Sequence, residues 1–232
     1  MKAFLNIEAC KGFTEATGIE VCPLRPYKKL DLPVSSHADM LINIIEENIF
    51  CYEDYYWDNK EIFDIAEKNG YKVIKCTPPV SSQYPHDIGL NALVMDKRIF
   101  GKIDFLSTEL KAIAIEKGYE LINVNQGYTA CTTLALDGQN AVTADVSVKN
   151  ALESCGIKVT FIREQNIKLP GYNTGFIGGA GLVCDGKIFV FGNAETLLDY
   201  SKIKAHVDAL EMSIISILSG DVVDFGGAKL IF

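Results

Sequence analysis

Five times along the chain, a run with helical spacing of apolar residues ends at a glycine and passes directly into an apolar strand. The pattern occurs at Glu15–Val21 (EATGIEV), Glu67–Val73 (EKNGYKV), Glu116–Leu121 (EKGYEL) and Glu153–Val159 (ESCGIKV), and more loosely at Leu218–Val223 (LSGDVV). Glycine in that position takes the left-handed backbone that caps a last helical turn. Recurrence at roughly 40–50 residues marks repeated supersecondary units.

Ahead of each helix the alternation predicts a hairpin. In the first unit Ser36-His37-Ala38-Asp39 leads into an apolar strand Met40–Ile45, a turn at Glu46-Glu47-Asn48 and a second strand Ile49–Tyr52. A helix with Ile62, Phe63, Ile65 and Ala66 on one face follows, then a third strand Tyr71–Cys76. The second unit runs through strand Ile88–Met95, turn Asp96-Lys97, strand Arg98–Gly101, helix Ser107–Lys117 and strand Tyr119–Val124. The third has strand Thr132–Leu136, an Asp137-Gly138 turn, a strand to Thr143, helix Val146–Ser154 and strand Ile157–Ile162. The fourth has Leu182-Val183, an Asp185-Gly186 turn, strand Lys187–Phe191, a helix over Tyr200–Leu218 and a strand Asp221–Asp224. Asp-Gly between apolar runs is a strong hairpin signal because both turn positions need positive φ.

The fifth unit is split between the ends of the chain. Gly227–Phe232 supplies a first strand, Met1–Ile7 a second, Ile7–Thr17 the helix and Ile19–Leu24 the third strand. Pairing the two ends inside one unit leaves no exposed sheet edge. The expected fold is therefore α/β: one domain over residues 1–232, a closed α/β propeller of five ββαβ units with pseudo-fivefold symmetry. An open α/β sheet also alternates strands with helices, but predicts neither a hairpin before every helix nor a half unit at each end.

Composition adds limits. With 48% hydrophobic residues, the 232-residue chain has ample material for a core. A net charge of −8 without any Lys/Arg cluster argues against a nucleic-acid partner. Met1–Cys10 lacks the apolar core of a secretory signal, and the apolar runs around Ile44 and Ile214 are too short to span a bilayer. No membrane partner is expected, and the expected compartment is the cytoplasm. Seven scattered cysteines without a CxxC pair point to reduced thiols rather than a disulfide framework or a structural zinc site. No metal or cofactor is expected.

The starts of the first strands carry the unusual chemistry. They hold His37 and Asp39, His86 and Asp87, Cys131, the glycine-rich stretch Gly175–Gly181, and Asp224. In a ring of such units these positions face the axis and converge.

These residues resemble a family. His37-Ala38-Asp39 followed by Met40-Leu41-Ile42 is similar to the His-x-Asp and apolar strand of the pentein, or guanidine-modifying, superfamily: arginine and agmatine deiminases, dimethylarginine hydrolases and amidinotransferases. Gly127-Tyr128-Thr129-Ala130-Cys131-Thr132-Thr133 is similar to the agmatine deiminase segment around its nucleophile, and Asp224-Phe225-Gly226-Gly227 resembles a Glu-Gly-Gly motif with Asp for Glu. The order of motifs is a circular shift of the order in those enzymes. Where the resemblance implies an acid in the fourth unit, Gly171–Gly181 has Asn173 and Thr174 and no carboxylate.

The resemblance implies a Cys-dependent hydrolase or amidino-transfer enzyme acting on a small guanidino or amidino compound through a thiouronium-type intermediate. Cys131 would attack the electron-poor carbon. His37 would protonate the departing amine and then activate water. Asp39 and Asp224 would hold cationic nitrogens. A thiolate beside an imidazole and a carboxylate is suited to such work. Asp87, Asn91 and Asn173 are further substrate-binding candidates, although Asn91 also suits a backbone tie. Two other readings stay open: a non-catalytic ring that binds a macromolecule, as the pentein-like ribosome anti-association factors do, and a small-molecule sensor without turnover. An activated thiolate at Cys131 favours the enzyme, and an unreactive buried thiol favours binding.

Three other features have structural explanations. His206-Val207-Asp208 lies inside a predicted helix and suits helix packing. Gly178-Gly179-Ala180-Gly181 leads into a hairpin and lacks the Lys-Ser/Thr of a phosphate loop, which suits close backbone packing. Tyr52, Tyr55, Tyr56 and Trp57 form either a binding lip or part of the core.

Overall fold

The computed structural model describes residues 1–163 and 166–232. In chain order its elements are β1 (Lys2–Asn6), α1 (Phe13–Thr17), β2 (Glu20–Leu24), α2 (Ala38–Leu41), β3 (Ile42–Ile45), β4 (Asn48–Tyr52), α3 (Glu53–Asp58), α4 (Lys60–Lys68) and β5 (Lys72–Cys76). Then come β6 (Leu93–Met95), β7 (Arg98–Gly101), α5 (Thr108–Glu116), β8 (Glu120–Asn123), β9 (Thr133–Ala135), β10 (Asn140–Thr143), α6 (Val146–Ser154) and β11 (Lys158–Phe161). The last are β12 (Gly181–Cys184), β13 (Lys187–Val190), α7 (Tyr200–Ala209), β14 (Ser213–Ser216) and β15 (Ala228–Ile231).

Among the described residues these strands form five three-stranded sheets, ordered β15-β1-β2, β3-β4-β5, β6-β7-β8, β9-β10-β11 and β12-β13-β14. In each, the middle strand pairs antiparallel with the strand before it in the unit and parallel with the strand after the helix. The ends of the chain meet in one sheet: Lys2 stands opposite Ile231, Phe4 opposite Lys229 and Leu5 opposite Ala228. One cavity of about 270 Å³ is lined by residues of all five first strands, β3, β6, β9, β12 and β15.

The unit pattern is found, with shifted boundaries. Met40 and Leu41, expected in a strand, belong to α2: their N–H groups both donate to the His37 carbonyl, and the Asp39 N–H reaches Gly226 O at 3.1 Å. The expected strand from Ile88 shortens to Leu93–Met95 because the Asn43 side-chain amide takes the carbonyls of Leu90 and Ala92 (3.0 and 2.9 Å). In the fourth unit the helix stops at Ala209, and the third strand is Ser213–Ser216 rather than Asp221–Asp224. Glu211, at φ 57°, occupies the left-handed position filled by Gly70, Gly118 and Gly156 elsewhere, and the β-branched Ile214 and Ile215 follow in the strand. Asp221–Asp224 is a loop with one bridge, Lys168 to Val223. Asp185 and Gly186 both have positive φ, 49° and 69°, as an Asp-Gly hairpin requires. At Asp137-Gly138 the turn is held instead by the Asp137 carboxylate, which accepts from the Gln139 N–H at 2.7 Å.

The core lies at the joints between units, because the apolar faces of helices cover neighbouring sheets. Leu110 and Ala114 of α5 share a cluster with Ile49 and Phe50 of β4. Val148 and Leu152 of α6 pack with Leu93 and Phe100 of the second unit, and Ile203 and Val207 of α7 with Leu134 and Val142 of the third. His206 belongs to this last joint. Its Nδ1 shares a hydrogen bond with Thr160 Oγ1 at 2.7 Å and its Nε2 with Asn140 Oδ1 at 3.0 Å, while burial holds its pKa below the usual histidine value. Tyr52, Tyr55 and Tyr56 are core residues, and Trp57 is exposed beneath the Lys75 ammonium. No helix among the described residues is long and apolar enough to cross a membrane.

Removing residues 228–232 strips β1 of its antiparallel partner and uncovers a strand whose Ala3, Phe4 and Leu5 are fully buried. Urea unfolding of the shortened chain should show a loss of several kcal/mol, on the order of one buried Leu or Phe side chain or more. A midpoint within error of the full chain would contradict the role given to this pairing.

Candidate functional site

Four loops converge at the mouths of the first strands. The loop into α2 brings His37 and Asp39, the loop before β6 brings Asp87 and Asn91, the loop before β9 brings Cys131, and the loop before β15 brings Asp224. All six side chains are buried, none more than 5% exposed.

His37 stands between two acids, its Nδ1 3.9 Å from Asp39 Oδ1 and 3.7 Å from Asp224 Oδ1. Both separations are too long for hydrogen bonds. The Asp224 carboxylate is fixed by the chain around it, accepting from the N–H groups of Phe176 (2.8 Å) and Gly226 (2.9 Å). Neither carboxylate oxygen of Asp39 has a hydrogen-bond partner. The glycines near these groups permit the close approach. A Cβ on Gly179 would lie 1.9 Å from Asp224 Oδ1, and one on Gly226, at φ 78°, would lie 2.2 Å from His37 Cβ. The glycine run is therefore packing around the acid, as its sequence context suggests.

Cys131 Sγ accepts a hydrogen bond from Asn91 Nδ2 at 2.9 Å. The same amide reaches Asp39 O at 3.1 Å, and Asn91 Oδ1 accepts from the Ala130 N–H at 2.9 Å. Asn91 thus ties the His-x-Asp loop to the cysteine loop, and its polar atoms are engaged by the protein rather than turned to a substrate. Asp87 accepts from Tyr128 Oη at 2.5 Å on one oxygen and leaves the other without a partner. Tyr128 stacks on Phe176 with ring centroids 6.3 Å apart, and both pack on the core cluster that contains Cys131. Asn173 is not brought to this cluster. It is exposed and lines a separate open cleft with Lys168, Tyr172 and Leu198, because its loop turns outward after Pro170.

Electrostatics follow from burial. Burial pushes the Cys131 thiol well above its ordinary pKa, and the charges of Asp39 and Asp224 push it the same way, against the Asn91 hydrogen bond. At neutral pH the resting sulfur is a neutral thiol, not the thiolate that sequence reasoning associates with an active enzyme. Burial also pushes Asp39 up to about 6; His37, Cys131 and Lys229 oppose the shift and Asp224 adds to it. Asp224 and Asp87 are raised by burial as well. Among the described residues no group of three His, Cys, Asp or Glu side chains is placed to hold a metal ion. A cleft of about 460 Å³ reaches His37 and Asp224 from the side of Asn6, Glu8 and Pro33.

Sequence reasoning missed Tyr128, Phe176 and Lys229. Tyr128 lies within the quoted cysteine motif but carries no distinctive spacing, and Phe176 is one apolar residue among glycines. Lys229 did leave a signal, as the one charge in the otherwise apolar strand Ala228–Ile231.

The arrangement of five three-stranded mixed sheets is the fold of the pentein, or guanidine-modifying, superfamily, and solved structures of that superfamily superpose on nearly the whole chain. SxtG, an amidinotransferase from Microseira wollei in the saxitoxin pathway, matches with TM-score 0.59 at 12% identity over 97% of this chain and 82% of its own. DDAH from Pseudomonas aeruginosa, complexed with citrulline, matches with TM-score 0.58 at 12% identity over 95% and 83%. The N-terminal domain of ArgZ, a cyanobacterial arginine dihydrolase, matches with TM-score 0.53 at 13% identity over 95% and 80%. At these identities the likeness is one of fold. The chain belongs to a family of unknown function, DUF6873, whose model matches residues 8–228. No curated protein sequence matches it.

The raised Asp39 carboxyl has a consequence for stability. The folded protein keeps this proton up to about pH 6, whereas an unfolded aspartate releases it near pH ~4. Between these values the native state binds more protons, so stability falls as pH rises through the window and stays lower above it. Asp39→Asn removes that cost. Urea unfolding should find the variant more stable than wild type at pH 8 by on the order of 2–3 kcal/mol, the gap closing toward pH 4. A destabilised Asp39→Asn at pH 8 would mean that the carboxylate has a stabilising partner.

Proposed function

We propose that this protein is a Cys-dependent hydrolase or amidino-transfer enzyme acting on a small guanidino or amidino compound. The observation that carries the reading is the convergence of His37, Asp39, Cys131 and Asp224, from three separate loops, in one buried cluster. In this reading the five sheets close into a ring about a common axis; the cavity bordered by all five first strands and the pairing of the chain ends support the closure.

The charge arrangement suggests the order of events. Two buried acids, with a third at Asp87, form an unbalanced anionic site that attracts a planar cation with several N–H donors. A guanidinium bound between Asp39 and Asp224 opposes the two charges that keep Cys131 protonated, so substrate arrival itself favours transfer of the thiol proton to His37, which later passes it to the departing amine. The sulfur then forms a bond to the central carbon. The carbon–nitrogen bond to the departing amine breaks, its electron pair leaving with nitrogen and a proton supplied by His37. The resulting thiouronium is released by water, activated by His37, or by an acceptor amine, and Cys131 recovers its proton. No cofactor is required for these steps. Seven free cysteines suit a reducing compartment, which we take to be the cytoplasm.

One observation favours a second reading: Cys131 is buried, and burial and the nearby acids push its thiol pKa up, as suits a sensor that binds such a compound without turning it over. Amine release from a panel of guanidino compounds, with and without a carboxylate, separates the two. The enzyme reading expects turnover of at least one compound, a decline below about pH 6 as Asp39 takes up a proton, and a loss of about 10²–10⁴-fold in His37→Ala. A cationic haloacetamidine should also alkylate Cys131 faster than the neutral haloacetamide of the same size. Saturable binding without turnover or preferential alkylation supports the sensor, and binding of no compound would falsify both.

A further inference from the structure

We infer that Lys229 is a positioning residue for this site: its ammonium faces the Asp39 carboxylate from the cavity lined by the five first strands and helps hold that carboxylate ionised for a cationic ligand. The inference rests on the proposed cation-binding role of Asp39.

The strand register gives the direction. Lys229 stands directly opposite Phe4 in the antiparallel β1–β15 pair, and opposite residues of such a pair project from the same face. Phe4 points into the first unit, its ring 5.7 Å from that of Phe63 on α4. Lys229 therefore projects from the terminal sheet toward the unit that carries Asp39, where α2 packs on β15. Lys229 and Asp39 both line the 270 Å³ cavity, which His37 does not line. The residue is half-buried, yet its ammonium lies deep enough for desolvation to hold its pKa below the usual lysine value, with Asp39 and Cys131 acting in the opposite direction. Among the described residues no carboxylate lies within 4.0 Å of it, Asp39 included, so it acts on Asp39 across the cavity they share rather than by direct contact.

The charge balance then needs this lysine. The groups facing Asp39 are His37 on its own loop, Asp224 from the loop before β15, Cys131 from the loop before β9, and Lys229. Two acids share one imidazole, which is nearly equidistant from both. Lys229 adds a positive group, placed where a ligand entering from the His37 side does not compete with it.

The test is the titration of Asp39 in the full chain, followed by ¹³C NMR of aspartate side-chain carboxyl carbons, with the resonance identified by its loss in Asp39→Asn. In Lys229→Met the midpoint should rise by roughly a few tenths of a unit, the effect of removing one opposite charge beyond contact distance. Lys229→Arg should restore it. An unmoved midpoint in Lys229→Met overturns the inference. Should that variant fail to fold, Cys131→Ser decides, because no thiol then titrates beside the carboxylate: the Asp39 resonance should shift a second time when Lys229 loses its proton in the alkaline range, and a single-step titration overturns the inference. Neither reading requires turnover. If no guanidino compound binds while the Asp39 midpoint responds to Lys229, the proposed function fails and the contact stands. Turnover with an unresponsive midpoint removes Lys229 alone.

Discussion

The antiparallel pairing of Lys2–Asn6 with Ala228–Ile231 is the contact on which the rest depends. It completes a sheet that neither end of the chain can make alone. It also fixes Asp224, Gly226 and Gly227, just upstream, against the His37 loop, where the Asp39 N–H reaches Gly226 O and the Gly226 N–H holds Asp224. The acid that faces the imidazole is thus positioned by a joint between the two ends of the sequence. The other joints follow one physical plan: a helix too short to be stable alone buries its apolar stripe on a neighbouring sheet.

The site itself is electrostatically costly. Three buried acids and a thiol are collected where water is scarce, Asp39 keeps both oxygens unpartnered, and Asp87 keeps one. Unpaired buried carboxylates lower stability unless something else requires them. The surrounding glycines, which let Asp224 and His37 pack against bare backbone, show how much of the local sequence is given over to keeping these groups close. In the proposed reaction a bound cation offsets this cost, and the same event prepares the sulfur.

Much of this was legible in the sequence because glycine caps and hairpin turns have local causes. The three intact helix–glycine–strand units announced themselves, and the split unit followed from the half patterns at the two ends. The fourth unit was misread because Glu211 adopts the left-handed turn that glycine marks elsewhere, and a loosely similar Leu218–Val223 stretch took its place. At the site, His37, Asp39, Cys131 and Asp224 were picked out by type and position at strand starts, and the fold brings them into one buried cluster. Asn91 and Asn173 show the limit of that method. One is consumed by the scaffold and the other faces outward, and only the path of the loops decides which. The protonation state of Cys131 was equally out of reach, since it depends on burial and on acids contributed by distant loops.

That protonation state bears on survival as well as reactivity. Peroxides oxidise thiolates far more readily than thiols, and the later products of that ladder are irreversible. A nucleophile kept permanently ionised in an accessible cleft is exposed to this loss at all times. Here the sulfur is buried, and burial and the neighbouring acids push its pKa up and so keep down its thiolate fraction. In the proposed reaction it becomes vulnerable only while a cationic ligand occupies the site and covers it, so the acids around Cys131 protect the sulfur from oxidation in the empty site.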